Sequence, residues 1–232
     1  MLTALKDIFV QSRCDICGQV VPKGKFLCRD CQTKLSPVRY GYCVSCGQVY
    51  VLNENPYQCL QCRKAPPSWS GLGFYGVYDG LLKQLILEYK FTQKLSLGRV
   101  LAFLLYEAYK SHGLDRPDII LPVPMHNKKL RERGFNQSLE LAKIFARKID
   151  TPVKRRGFEK QKHTPAQSIL NRTERLANLK NSFLISSNIL RNKKILLIDD
   201  IMTTGTTLEE CTHVLLQGGA KQVQVLFLAR AA

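Results

Sequence analysis

The sequence has no run of about 18 apolar residues, so no membrane insertion is expected. Its start, MLTALKDIFVQSRC, lacks the basic stretch, apolar core and cleavage site of a secretory signal, and no such signal is expected. Acidic residues are scarce: 18 Asp and Glu stand against 35 Lys and Arg, a formal charge of +17. The shortage is uneven. Residues 128–194 hold 18 basic and 5 acidic residues, whereas residues 195–232 hold 2 and 4. A basic excess so placed suits a phosphate-rich partner, nucleic acid above all; the plainer reading is a solvated basic surface. The 232 residues, 45% hydrophobic, suffice for one large domain or a medium domain with a small module.

Cysteine is not scarce. Nine cysteines without a secretory signal point to a reducing, cytoplasmic setting and to metal rather than disulfides. Cys14-x2-Cys17 and Cys28-x2-Cys31 form one set of four; Cys43-x2-Cys46 and Cys59-x2-Cys62 form a second. The turns CDICG and CVSCG repeat after about 29 residues, a spacing read from the chain itself. Each C-x-x-C turn puts two sulfurs on one side of a metal, and Gly18 or Gly47 eases the chain past them. Two such turns complete a tetrahedral four-cysteine site, so two structural zinc ions are expected, an iron–sulfur cluster being the alternative. The repeat favours sequential pairing; cross-bracing stays open. Cys211, the ninth, falls on the apolar side of a helical pattern and reads as a packing residue. RKAPPSW, residues 63–69, reads as an extended linker, dividing a metal module at 1–66 from an α/β domain at 67–232.

Everything beyond the cysteines is organised around ILLIDDIMTTGTT, Ile195 to Thr207. A short apolar run suits a strand covered on both faces. Two carboxylates, Asp199 and Asp200, end it. The loop Thr203, Thr204, Gly205, Thr206 and Thr207 follows, and an amphipathic helix is expected from Leu208. A loop opening a helix offers free N–H groups and the positive end of the helix dipole, which suits a phosphate. Carboxylates at a strand's carboxyl end accept hydrogen bonds from a sugar diol or hold Mg²⁺ through water. A diol beside a phosphate describes a ribose phosphate. An ordinary buried strand with a polar turn is the bland alternative.

Strands are expected at 71–78, 118–123 and 223–228, and helices from Leu81, over 95–109 and over 137–148. The order gives a mainly parallel sheet with flanking helices. Lys128, Lys129, Arg131 and Arg133 in NKKLRERGFN read as a cationic loop fit to grip pyrophosphate or nucleic acid. Residues 152–178 are basic and weakly periodic. Type I phosphoribosyltransferases, which the Asp-Asp strand end and threonine loop resemble, carry a mobile cover loop at about this place in the chain order. The resemblance implies such a loop here, with Gln167, Arg172 and Arg175 candidates to line the ligand and His163 a weaker acid–base candidate.

The Asp-Asp strand end and T-T-G-x-T loop resemble the phosphoribosyl-pyrophosphate (PRPP) signature of type I phosphoribosyltransferases. Together with the Cys-x-x-Cys pairs, LPVPMHNKKLRERGFNQS and HTPAQSILNRTERLANLKNSF, they resemble the ComF family of competence proteins over nearly the whole chain. The resemblance implies a type I phosphoribosyltransferase-like fold with a zinc module, and PRPP bound with Mg²⁺, its ribose on Asp199 and Asp200, its 5′-phosphate on Thr203 to Thr207, and Arg131 and Arg133 near the pyrophosphate. It implies a cytosolic factor of natural transformation that handles single-stranded DNA beside a helicase partner. Whether the site is an enzyme's stays open, because no stretch names an acceptor. Where the family carries a basic residue directly before the threonine, this chain has His163.

Overall fold

The computed structural model describes residues 12–50, 55–92, 94, 96–161, 182–186 and 190–231. The amino-terminal part is built of short pieces: strands β1 (Ser12–Arg13) and β2 (Val20–Val21), and helices α1 (Arg29–Thr33) and α2 (Leu60–Lys64). The two cysteine turns share one geometry. Gly18 N–H donates to Cys14 O at 2.9 Å and Gly47 N–H to Cys43 O at 2.8 Å. Both glycines take a left-handed conformation, φ 78° and 69°, in which a Cβ is strained.

The α/β part runs β3 (Gly71–Val77), α3 (Gly80–Phe91), α4 (Leu97–Ser111), β4 (Ile119–Pro122), α5 (Asn127–Arg133), α6 (Gln137–Ile149), β5 (Phe158–Lys160), β6 (Phe183–Ile185), β7 (Lys194–Ile198), β8 (Ile201–Met202), α7 (Thr206–Gln217) and β9 (Gln222–Arg230). The main sheet has the order β3-β9-β7-β4, with β8 also on β9, and every pairing in it is parallel. β5 and β6 form a separate two-stranded antiparallel sheet. Successive residues of the central strands serve opposite faces, as a two-residue period requires. Leu196, Ile198, Leu226 and Leu228 join the core under α3, α4 and α6, and Ile195, Leu197, Val225 and Phe227 join the core under α7.

Two expectations need correction. Lys128 to Arg133 is a two-turn helix, not a loop. His126 Nδ1 accepts from Lys128 N–H at 3.1 Å at its start, and Gly134 at φ 83° stops it. The helix after the threonines starts at Thr206, two residues before Leu208. Within the proposed linker, Arg63 and Lys64 close α2, and Trp69 is buried with Nε1 donating to Ser45 O at 2.7 Å. The ribbons therefore pack on the α/β core. Arg99 grips Asp15 through two hydrogen bonds of 2.8 and 2.7 Å, and Phe26 meets Phe103 edge to face.

Candidate functional site

The two metal centres pair sequentially. The sulfurs of Cys14, Cys17, Cys28 and Cys31 lie within 4.8 Å of one another, as do those of Cys43, Cys46, Cys59 and Cys62. A zinc tetrahedron with bonds of about 2.3 Å sets its sulfurs about 3.8 Å apart. Cys17 Sγ and Cys28 Sγ are 3.7 Å apart, and Cys46 Sγ and Cys59 Sγ 4.0 Å, so both sets fit the ion. Backbone N–H groups already aim at sulfur: Cys31 N–H at Cys28 Sγ (3.4 Å) and Cys59 N–H at Cys43 Sγ (3.3 Å). Burial opposes thiolate formation at Cys14 and Cys43. Backbone donors outweigh it and draw them down to about 6 and about 7, toward the ionised form a metal needs.

The carboxylate pair sits where β7 ends. Asp199 N–H is tied to Leu226 O at 3.0 Å, and Asp200 O accepts from Leu228 N–H and Ala229 N–H, so both acids hang from β9. Asp199 Oδ1 accepts from Ser138 Oγ and from Asp200 N–H, each at 2.9 Å. Burial, with the neighbouring Asp200 charge second, pushes the Asp199 carboxyl up to about 7. Asp200 is 4% exposed. Lys90 Nζ, from the end of α3, lies 2.7 Å from its Oδ2, an ion pair that lacks the angle of a directed hydrogen bond.

The threonine loop follows. Gly205, at φ 80°, turns the chain into α7 in a conformation that strains any side chain, and a Cβ there would need the Met202 tip to move. A Cβ there would stand 2.5 Å from Met202 Cε and 3.4 Å from the Trp69 ring. No side chain caps the helix, and Thr204 Oγ1 and Thr206 Oγ1 bond each other at 2.7 Å. The loop forms one wall of a cleft of about 640 Å³, and Gln48, Gln61, Cys46, Cys59 and Cys62 of the second ribbon form the other. Asp199 and Asp200 do not line it.

Arg230, 8% exposed, joins the two walls. Its Nε donates to Cys46 O at 3.2 Å and its Nη2 to Gln48 Oε1 at 3.0 Å. Its Nη1 donates to the Thr203 and Ala231 carbonyls and, at 3.4 Å, to Met202 O. Burial lowers its pKa, while the nearby Cys46 and Cys43 thiolates oppose that shift.

Of the expected cations, Lys128 and Arg131 are exposed on α5. Lys129 is partly buried and its pKa is lowered by burial, then by Arg133. Arg133 donates to Gln137 Oε1 at 2.7 Å and lies over the Phe91 ring. Gln167, Arg172, Arg175 and His163 fall outside the described residues. Lys90, Ser138 and Arg230 went unnoticed in the sequence. Only Arg230 carries a signal there, a lone cation closing the apolar run VQVLFLAR.

Comparison with known proteins agrees with this geometry. Residues 135–232 match the phosphoribosyl transferase domain and residues 5–63 the double zinc ribbon domain. The chain thus combines a type I phosphoribosyltransferase fold with a double zinc ribbon that carries two four-cysteine sites. It is 34% identical over 230 residues to Competence protein F of Haemophilus influenzae, covering 96% of this chain and 99% of that one. It is 31% identical to the DNA utilization protein YhgH of Escherichia coli, over 81% and 83% of the two chains. It is 29% identical to Competence protein ComFC of Streptococcus pneumoniae, over 88% and 87%. The chain belongs to the ComF family of competence proteins. Among the described residues no helix is long and apolar enough to cross a membrane.

Proposed function

We propose that this chain binds single-stranded DNA in the cytoplasm during natural transformation, beside a helicase partner, and that its α/β domain carries a site for PRPP with Mg²⁺. One observation carries the PRPP reading: an uncapped helix N-terminus behind Gly205 stands next to two acids at the end of a parallel strand. Backbone N–H groups of the Thr203 to Thr207 loop take the 5′-phosphate, Asp199 and Asp200 the ribose hydroxyls, and Lys129 and Arg133 the pyrophosphate side. Mg²⁺ enters with the ligand's own phosphate oxygens, since Lys90 already neutralises Asp200. Zinc holds each ribbon in the fold that lets Cys46 and Gln48 meet Arg230. The DNA reading is supported by the basic excess of residues 128–194 and by relatives whose names refer to competence and DNA utilization.

The test is binding of a labelled single-stranded oligonucleotide across a salt series, with and without Mg²⁺–PRPP. Affinity that falls linearly on a log–log salt plot is expected, the slope counting the phosphates engaged. No binding at low salt overturns the DNA reading. PRPP binding that survives Asp199→Asn with Asp200→Asn overturns the site assignment.

A second reading, an active phosphoribosyltransferase, is favoured by one feature. A further cleft of about 480 Å³ lies between α5, α6 and β5, lined by Met125, Phe135, Phe158 and Lys160 among others. It has the size for an acceptor. Pyrophosphate release on addition of candidate acceptors separates the two readings.

A further inference from the structure

The end of α3 presents three consecutive residues in three different states. Tyr89 is buried and meets Phe135 edge to face at 5.6 Å. Lys90 is pinned to Asp200. Phe91 is 67% exposed. Its backbone neighbours are thus anchored, and the ring is held at the surface at little further cost in conformational freedom. A single exposed apolar residue is ordinary on a protein. The surroundings of Phe91 are not. The Arg133 guanidinium lies 5.3 Å from the ring centroid, itself fixed by Gln137 Oε1 at 2.7 Å. The same helix, α5, carries Lys128 and Arg131, both exposed, and Lys129. Glu132 lies among these cations on α5, and Glu88 on α3 is taken up by Lys94 at 3.2 Å.

We infer that Phe91 is a stacking platform for one base of a single-stranded nucleic acid whose backbone runs over the cations of α5. The inference rests on the single-stranded DNA reading above and names the surface that serves it. Arg133 covers one side of the ring, and the 67% exposure among the described residues offers the rest of it to a base. Cations beside an aromatic face are what a single strand requires, with phosphates on the charges and a base on the ring. Sequence preference is not demanded, because every base has a π-face. Lys90, the residue before Phe91, holds Asp200, so the platform and the carboxylate pair are both tied to the end of α3.

The experiment compares the full chain with Phe91→Ala, Phe91→Leu and Phe91→Trp on a labelled oligothymidylate across a salt series. Loss of one base stack, ~1–3 kcal/mol, weakens binding about 5- to 150-fold. Phe91→Ala and Phe91→Leu should both fall in that range, since leucine keeps apolar contact but cannot stack, and the salt slope should stay that of the native chain. Phe91→Trp should bind at least as well as the native chain, its indole fluorescence quenched by DNA beyond any change at Trp69 alone. Native-level affinity in Phe91→Ala overturns the inference and leaves the DNA reading standing. A changed salt slope in Phe91→Ala also overturns it, because the ring would then act only by placing Arg133. Absence of binding by the native chain removes the DNA reading and this inference with it.

Discussion

Replacing Asp199 by Asn should stabilise this protein, and more so at high pH. Asp199 has its carboxyl raised from 3.8 to about 7 by burial and by the Asp200 charge. A carboxyl raised in the folded state is protonated there while the unfolded chain has already ionised. Stability therefore falls as pH climbs from about 4 to about 7 and is level above that. Fully counted, a rise of about three units costs about 4 kcal/mol at pH 8. Asp199 is only partly buried, so solvent screening should roughly halve this to about 2 kcal/mol. Asn keeps the Oδ1 that accepts from Ser138 Oγ and Asp200 N–H, and it carries no charge to repel Asp200. For a chain of 232 residues the gain corresponds to a melting temperature higher by roughly 4–8 °C at pH 8 and by about 2 °C at pH 5. The assay is thermal unfolding of native and variant zinc-loaded protein at both pH values. Taking the difference between the two proteins at each pH cancels losses common to both, such as metal release in acid. An equal shift at both pH values, or a destabilised variant at pH 8, refutes the reasoning. The same substitution should cost PRPP affinity, as expected where a strained charge is kept for binding.

Gly205→Ala should destabilise by about 1–3 kcal/mol, because it combines a φ of 80° with a 2.5 Å approach to Met202, and should reduce phosphate binding; denaturant unfolding and calorimetry check both. Arg230→Met should cost about 3 kcal/mol by stranding the Thr203, Cys46 and Ala231 carbonyls, and a chelator should strip the second ribbon's zinc faster than in the native chain. Metal analysis should find two zinc ions per chain, and Cys43→Ser should leave one, with Cys14, Cys17, Cys28 and Cys31 still holding theirs. Lys90→Met should leave the buried Asp200 carboxylate without its cation and lower the melting temperature, which thermal unfolding of native and variant protein checks.

What could be read in the sequence follows from which interactions are local. The four-cysteine sets were legible because a metal imposes fixed spacing on its ligands. β7 with Asp199, Asp200 and the threonines was legible because strand, acids and loop are contiguous. α5 was missed because its seven residues offer only Leu130 as an apolar marker, so no helical period shows. Its true signals are local caps, His126 before it and Gly134 after it, and histidine is not among the favoured capping residues. Lys90 and Ser138 were missed for a different reason. They meet the acids across 110 and 61 positions of chain, contacts that only the packing of α3 and α6 on the sheet creates.

Those long-range partners alter the chemistry that the contiguous motif suggests. Two adjacent aspartates look like a strongly anionic site, attractive to a bare cation and hostile to phosphates. With Lys90 on Asp200 and the Asp199 carboxyl pushed toward its neutral form by burial and by Asp200, the pair carries less than two net negative charges. Lys160, from β5, is a second cation that feels the Asp199 charge. On the PRPP reading proposed above, a polyanion entering this region would meet little repulsion from the two acids. The same balance holds on the far side of the loop, where Arg230 stands between Thr203 and the second four-cysteine centre. Four thiolates on one Zn²⁺ leave two negative charges, and a buried guanidinium beside them is the one cation placed to screen the threonine loop from that charge among the described residues lining the cleft. Neutralising Arg230 should therefore weaken phosphate binding at the loop even where the fold survives, and more steeply at low ionic strength, where the zinc–thiolate charge is least screened.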